Sequence, residues 1–210
     1  MPESGVPGTP RPVEVMAYQP RWVDEFTRIA RRIRECAGPA VARIDHIGST
    51  AVPGLGGKDV IDVQITVPDL DAAGGLTGAL RAAGFRHGAA LEYDAFRPRS
   101  ATDPELRKLF MREPDGERRA HVHIRERGRF NQRYALLFRD YLRVSAEARA
   151  AYELLKRQAA QLFPDSIDGY LRLKDPAFHL VYEAAALWAD KVGWRPDESD
   201  AGRPRGGGGA

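Results

Sequence analysis

Residues 48 to 67 decide the reading: Gly48-Ser-Thr-Ala-Val-Pro-Gly-Leu-Gly-Gly-Lys58, then Asp59-Val-Ile-Asp-Val-Gln-Ile-Thr-Val67. The first half holds too much glycine and proline for a long helix and reads as a loop. The second half alternates. Ile61, Val63, Ile65 and Val67 point one way, while Asp62, Gln64 and Thr66 point the other. Glycine lets a backbone approach a phosphate closely, and the Ser49 hydroxyl adds a donor beside main-chain N–H groups. Asp62 follows Ser49 by thirteen residues. A carboxylate on a rigid strand opposite such a turn can hold Mg²⁺ against a triphosphate. The ion would neutralise phosphate charge while an attacking group displaces pyrophosphate. The bland alternative makes Asp62 a solvated residue on an open sheet face, and the extension of its row by Gln64 and Thr66 favours the functional one.

Upstream, Pro20 suits a first helical turn, Val23, Phe26, Ile29 and Ile33 recur at helical spacing, and Gly38-Pro39 ends the segment. Residues 40 to 47 are expected to form a strand. Downstream, a helix through Leu70, Leu76, Leu80 and Ala83 stops at Gly84. Residues 85–93 and 106–112 are candidate strands. Arg119 to Arg125 is a better one, since Ala120, Val122 and Ile124 alternate with His121, His123 and Arg125. From Phe130 the pattern turns helical: Phe130, Tyr134, Leu137, Phe138 and Tyr141 form one stripe, and Tyr152, Leu155, Ala159 and Leu162 another. Asp175-Pro176 looks like the cap and first turn of a last helix. The order predicts an α+β fold in which helices cover one side of a mixed sheet. Residues 1–12 read as a disordered leader, 13–192 as a single domain with a helical part from about 130, and 193–210 as a flexible tail.

Composition sets outer bounds. A chain of 210 residues buries a full core without staples, and Cys36, the single cysteine, belongs to no metal or redox pattern and is expected to pack on the first helix. No apolar run approaches a membrane span and no secretion signal is evident, so a cytoplasmic protein is expected. Thirty-two basic residues against 29 acidic give a net charge of +3. They form no basic block and most aromatics sit at core-like spacings, which argues against a nucleic-acid partner.

His46-Ile-Gly-Ser-Thr-Ala-Val-Pro-Gly-Leu-Gly-Gly-Lys-Asp-Val-Ile-Asp-Val63 closely resembles the signature of the GrpB family, a branch of the nucleotidyltransferase-fold superfamily. The resemblance continues through Arg119-Ala-His-Val-His-Ile124, Phe138-Arg-Asp-Tyr-Leu-Arg143, Tyr152-Glu-Leu-Leu-Lys156, and Tyr170 and Lys174 before Phe178. It spans roughly residues 13 to 190. Members of the family also occur fused behind dephospho-CoA kinase. The resemblance implies a nucleotidyltransferase-like mixed sheet flanked by helices, a phosphate-binding Gly-Ser turn and an adjacent metal-binding strand. The superfamily pattern has two acidic residues separated by one. Asp62 takes the first place and Gln64 the second, so the usual two-metal chemistry is in question.

The expected site follows. Gly48, Ser49, Lys58, Lys108 and Arg112 would hold the phosphates, with Arg99 a further basic candidate. Asp62, Gln64 and His123 would hold a divalent ion. Mg²⁺ or Mn²⁺ is expected, with Zn²⁺ as the alternative that histidines favour. Asp62, His121 and His123 are the catalytic candidates, one imidazole being placed to act as a general base or only to bind substrate. His46, Tyr170 and Lys174 are further pocket candidates. The expected activity is transfer of a nucleotidyl group, AMP, from an NTP to a small acceptor, which activates a carboxylate if the acceptor is one. The alternative is a nucleotide- or small-molecule-binding protein that has lost catalysis.

Overall fold

The computed structural model describes residues 12–38, 41–88 and 92–201. Five strands, β1 (Arg43–Ile47), β2 (Ile61–Val67), β3 (Arg86–His87), β4 (Leu109–Arg112) and β5 (Ala120–Glu126), form one sheet in the order β1-β2-β5-β4-β3. β2 and β5 pair in parallel, and the other neighbours are antiparallel. The helices are α1 (Arg21–Ala37), α2 (Gly74–Ala82), α3 (Phe130–Val144), α4 (Ala146–Leu162) and α5 (Ile167–Val192). This is the α+β mixed sheet that the alternation of β2 and β5 predicts.

Helices flank both faces of the sheet, not one. Ile61, Val63 and Ile65 of β2 and Val122 and Ile124 of β5 bury their apolar row with Trp22, Phe26 and Ile33 of α1 and Leu76 and Leu80 of α2. The opposite face carries the polar row, and there α3 to α5 build a second core around Phe96, Tyr134, Leu137, Tyr152 and Tyr182. A face that would be open in a sheet with helices on one side alone is therefore roofed, and its polar side chains must find partners or line a cavity. Cys36 packs at the edge of the first core, as expected.

Several boundaries differ from the sequence pattern. β1 starts at Arg43, and residues 39 and 40 lie outside the described residues. α2 begins only at Gly74, with Leu70 packing from the preceding turn. The strand expected over 85–93 shrinks to Arg86–His87 at the sheet edge, and residues 89–91 of it are not among the described ones; that over 106–112 begins at Leu109, after a short 3₁₀ turn. The last helix starts at Ile167, about two turns before Asp175. Ser166 caps it, its hydroxyl accepting from the Gly169 N–H at 3.1 Å, and Pro176 lies inside. Proline frees the carbonyl four residues back, and here both Pro176 and Arg172 are exposed, so water can satisfy it.

The expected tail from 193 onward is in part structured. Trp194 is buried, with its indole N–H on Asp140 at 3.3 Å. Ser199 accepts from the Ile44 N–H, and the Ala201 N–H donates to the Ile44 carbonyl, so these residues cover the free edge of β1. Residues 202–210, like the leader up to residue 11, lie outside the described residues.

Candidate functional site

Between the polar face of β2 and β5, the loop after β1, and helices α3 to α5 lies a cleft of about 480 Å³. The loop enters it at Gly48, whose φ of +73° and ψ of −171° form a combination open in practice to glycine alone. A Cβ there would stand 2.3 Å from Asp62 Oδ2, so turn and carboxylate are in contact. A single 3₁₀ turn, Ser49–Ala51, follows and places the Ser49 side chain in the cleft. Arg143 holds the Ala51 carbonyl at 2.9 and 3.1 Å.

Asp62 stands on the cleft floor beside two imidazoles. Parallel pairing sets Asp62 opposite His121 and Gln64 opposite His123. His121 Nδ1 lies 3.3 Å and His123 Nε2 3.8 Å from Asp62 Oδ1. One ligand atom from each of the three falls within 4.8 Å of the others. Burial works against the Asp62 charge, but hydrogen bonds and charge from His121 and His123 outweigh it and hold the carboxyl well below the usual carboxylate range. Burial pushes His123 down to about 4; Asp62 opposes this, and Arg125 and Lys108 add to it. At neutral pH the trio therefore offers an ionised carboxylate and a neutral imidazole at His123. One carboxylate oxygen with two imidazole nitrogens suits Zn²⁺, Mn²⁺ or Fe²⁺ better than the all-oxygen preference of Mg²⁺.

Cations surround this floor. Lys58, Arg119, Arg125 and Lys174 line the cleft. Burial and the nearby Lys174 lower the Lys58 pKa, and its ammonium sits 5.3 Å over the Tyr170 ring. Tyr134, Phe138, Tyr152 and Phe178 make an aromatic wall.

Of the sequence-predicted residues, Gly48, Ser49, Lys58, Asp62, His121, His123, Tyr170 and Lys174 meet in this one cleft. The others do not line it. Gln64 is fully buried, its carbonyl accepting from Arg125 at 2.6 Å and its amide donating to the Gln132 carbonyl at 3.1 Å, so it is not placed as a metal ligand. Lys108 is buried against Asp94 at 2.6 Å and lies 3.4 Å from His123 Nδ1, so it is spent on a carboxylate rather than offered to phosphate. Arg112 pairs with Glu113 at 3.1 Å, and Arg99 with Asp103 at 2.8 Å. His46 is buried under the turn, stacked on Phe26, with Nε2 3.0 Å from Thr50 Oγ1. Burial lowers its pKa to about 3, so it stays neutral and supports the loop from below.

Sequence reasoning missed other members. Arg125 was visible as the third polar residue of the β5 alternation, but its partners were not. Asp94 comes from irregular chain and carries no pattern; it receives Lys108 and Arg125, the latter at 2.8 Å, and lines the cleft. Lys156 lies on α4, 107 residues from Ser49, yet its ammonium donates to Ser49 Oγ at 2.8 Å.

The Gly-Ser turn enters beside an aspartate on the second strand of a mixed five-stranded sheet in an α+β protein. The family model described as GrpB protein matches residues 12–184, and the chain belongs to the GrpB family. A solved structure of GrpB from Enterococcus faecalis aligns with a TM-score of 0.69 at 28% identity, covering 83% of this chain and 99% of that one. A dephospho-CoA kinase of Mycolicibacterium paratuberculosis is 38% identical over 198 residues, which is 88% of this chain and 49% of the kinase. This chain thus spans about half the length of that relative. The UPF0157 protein SCO7215 of Streptomyces coelicolor is also 38% identical, over 71% of this chain and 73% of its own length. Among the described residues no helix is long and apolar enough to cross a membrane.

Proposed function

We propose that the cleft binds a nucleoside triphosphate with one divalent cation and transfers the nucleotidyl group, AMP in the case of ATP, to a small acceptor. The observation that carries this reading is the contact between the Gly48 turn and Asp62, with two imidazoles beside the carboxylate, inside a cleft of about 480 Å³. A cation on Asp62, His121 and His123 would neutralise phosphate charge at the reacting end. Ser49 would donate to a phosphate oxygen, and the absence of a Cβ at Gly48 lets that phosphate come close. Lys58 and Lys174 would meet the remaining charge, and the aromatic wall gives a base a surface to stack on. With a carboxylate as acceptor, its ionised oxygen forms the new bond to the α-phosphorus as the bond to the β-phosphate oxygen breaks. Pyrophosphate leaves with the electron pair, and no proton has to move.

Gln64 favours a second reading, nucleotide binding without turnover. The place expected for another carboxylate carries a neutral amide engaged by Arg125. Thermal-shift titrations with ATP, GTP, CTP and UTP, each with Mn²⁺, Zn²⁺ or Mg²⁺, address binding; pyrophosphate release over a panel of carboxylate, hydroxyl and amine acceptors then separates the two readings. Ligand occupancy at one hundred times Kd corresponds to about 2.7 kcal/mol of stabilisation. Asp62→Asn and His121→Ala should abolish the metal-dependent part. Metal and nucleotide responses that survive both substitutions would place the site elsewhere.

A further inference from the structure

We infer that Lys156 is a positioning residue for the phosphate turn and that it takes up a proton when a polyphosphate occupies that turn. This rests on the reading of the Ser49 turn as a phosphate site.

Helix α4 grips the loop from behind at two points of one peptide neighbourhood. Glu153 accepts from the Gly56 N–H at 2.6 Å, and Lys156 donates to the Gly56 carbonyl. The same ammonium donates to Ser49 Oγ at 2.8 Å. The loop is closely packed here: a Cβ at Gly57 would come within 2.8 Å of Ser49 Cβ, and one at Gly56 within 2.7 Å of the Met16 carbonyl. Lys156 is 1% exposed and lies behind Ser49 as seen from the cleft, so it reaches a ligand through the serine hydroxyl and through its charge.

That charge is poorly supported while the site is empty of anions. Burial is the largest influence and depresses the Lys156 pKa to about 7; Glu153 opposes this, while Lys174 on α5 and Arg157 on α4 add to it. The other groups against it are the Tyr152 ring, 5.0 Å away, and the Ser49 and Gly56 main chain and hydroxyl. The N-terminal segment packed on α4 contributes Val13 and Val15, and its Glu14 points to solvent. Burial, Lys174 and Arg157 thus oppose protonation, with Glu153 against them. A phosphate on Ser49 brings the missing negative charge and reverses that balance. Above about pH 7 binding must then draw a proton from solution, and apparent affinity falls by up to about tenfold per pH unit until the bound pKa is reached.

The test is calorimetry of ATP binding to the full chain at pH 8, without metal, in buffers of different ionisation enthalpy, which reads the protons taken up per ATP. ATP is then fully ionised, so its own titration does not contribute. Wild type should take up about 0.5–0.9 proton. Lys156→Arg, charged at every pH tested, should keep binding and take up close to none; Ser49→Ala, which leaves Lys156 in place but cuts its link to the ligand, should reduce both affinity and uptake. A lysine with a merely structural role would change melting temperature in Lys156→Arg but leave the proton count alone. ATP binding with equal proton uptake in wild type and Lys156→Arg overturns this inference and leaves the nucleotide reading standing. No ATP binding by wild type between pH 6 and 9, by heat or by thermal shift, overturns the nucleotide reading and this inference with it.

Discussion

Replacing Gly48 by alanine tests the contact on which the cleft depends. The new methyl group would meet two obstacles. The backbone at φ +73° and ψ −171° is one that a side chain adopts at a cost of about 1–3 kcal/mol. In addition, the Cβ would lie 2.3 Å from Asp62 Oδ2 and 3.0 Å from Asp62 Cβ, which forces the carboxylate or the turn to move, for about another 1–3 kcal/mol. Gly38 supplies the control. Its φ is +59°, and nothing lies within 4 Å of a Cβ built there, so Gly38→Ala carries the backbone cost without the collision. Urea unfolding should therefore show Gly48→Ala losing about 2–6 kcal/mol and Gly38→Ala about 1–3, at unchanged slope. Mn²⁺ or Zn²⁺ titrations of the folded variants add a second reading: displacement of Asp62 should weaken the metal response of Gly48→Ala, while Gly38→Ala behaves as wild type. Equal losses in the two variants, with metal responses intact, would refute the claim that the turn and the carboxylate press on one another.

The acid limb of the stability curve should carry the signature of Asp94. Burial raises its pKa, but Arg125 and Lys108 outweigh that and hold it at about 2, below the unfolded value, so its contribution is complete above about pH 4 and fades as pH falls towards 2. The gap corresponds to about 2–3 kcal/mol. Asp94→Asn should lose about 3–5 kcal/mol at pH 7, because Lys108 and Arg125 remain buried opposite a neutral group, and should flatten that limb in pH-dependent unfolding. A steep acid limb in the variant would assign it to other carboxylates. Asp200→Ala should cost about 1–3 kcal/mol in urea unfolding, since Arg139, 1% exposed, loses one of its two carboxylates at 2.6 Å and the His46 N–H loses its acceptor. An unchanged midpoint would mean that the segment after α5 adds nothing to stability.

The strands that build the site were legible because one row of each packs an apolar core while the other meets polar partners and the cleft, so β2 and β5 alternate without a break. Their register was not legible, yet it brings Asp62 to His121. Residues of one polar row looked equivalent in sequence, although Asp62 opens into the cleft while Gln64 is sealed beneath α3. That difference depends on where a helix from the far half of the chain crosses the sheet. The same holds for Lys156 and Asp94, whose partners lie 107 and 31 residues away. Basic residues misled for a physical reason. An arginine or lysine reads as a phosphate ligand wherever it falls, but Lys108, Arg112 and Arg99 each have a carboxylate within 3.1 Å.

Charge decides what the proposed site can hold. A second carboxylate at position 64 would favour a second cation and repel phosphate oxygens. Gln64 adds no charge, and Arg125 beyond it is committed to Asp94 at 2.8–2.9 Å and to the Gln64 carbonyl. Asp94 also lines the cleft but is taken up by Lys108 and Arg125, which leaves Asp62 as the cleft carboxylate able to anchor one cation with the help of two imidazoles. A triphosphate brings more negative charge than one divalent ion cancels. The balance has to come from the protein, and Lys58 and Lys174 stand in the cleft with a third lysine behind Ser49. Fixed ammonium groups in the place of a second metal tie affinity to ionic strength and to lysine protonation more than to metal concentration.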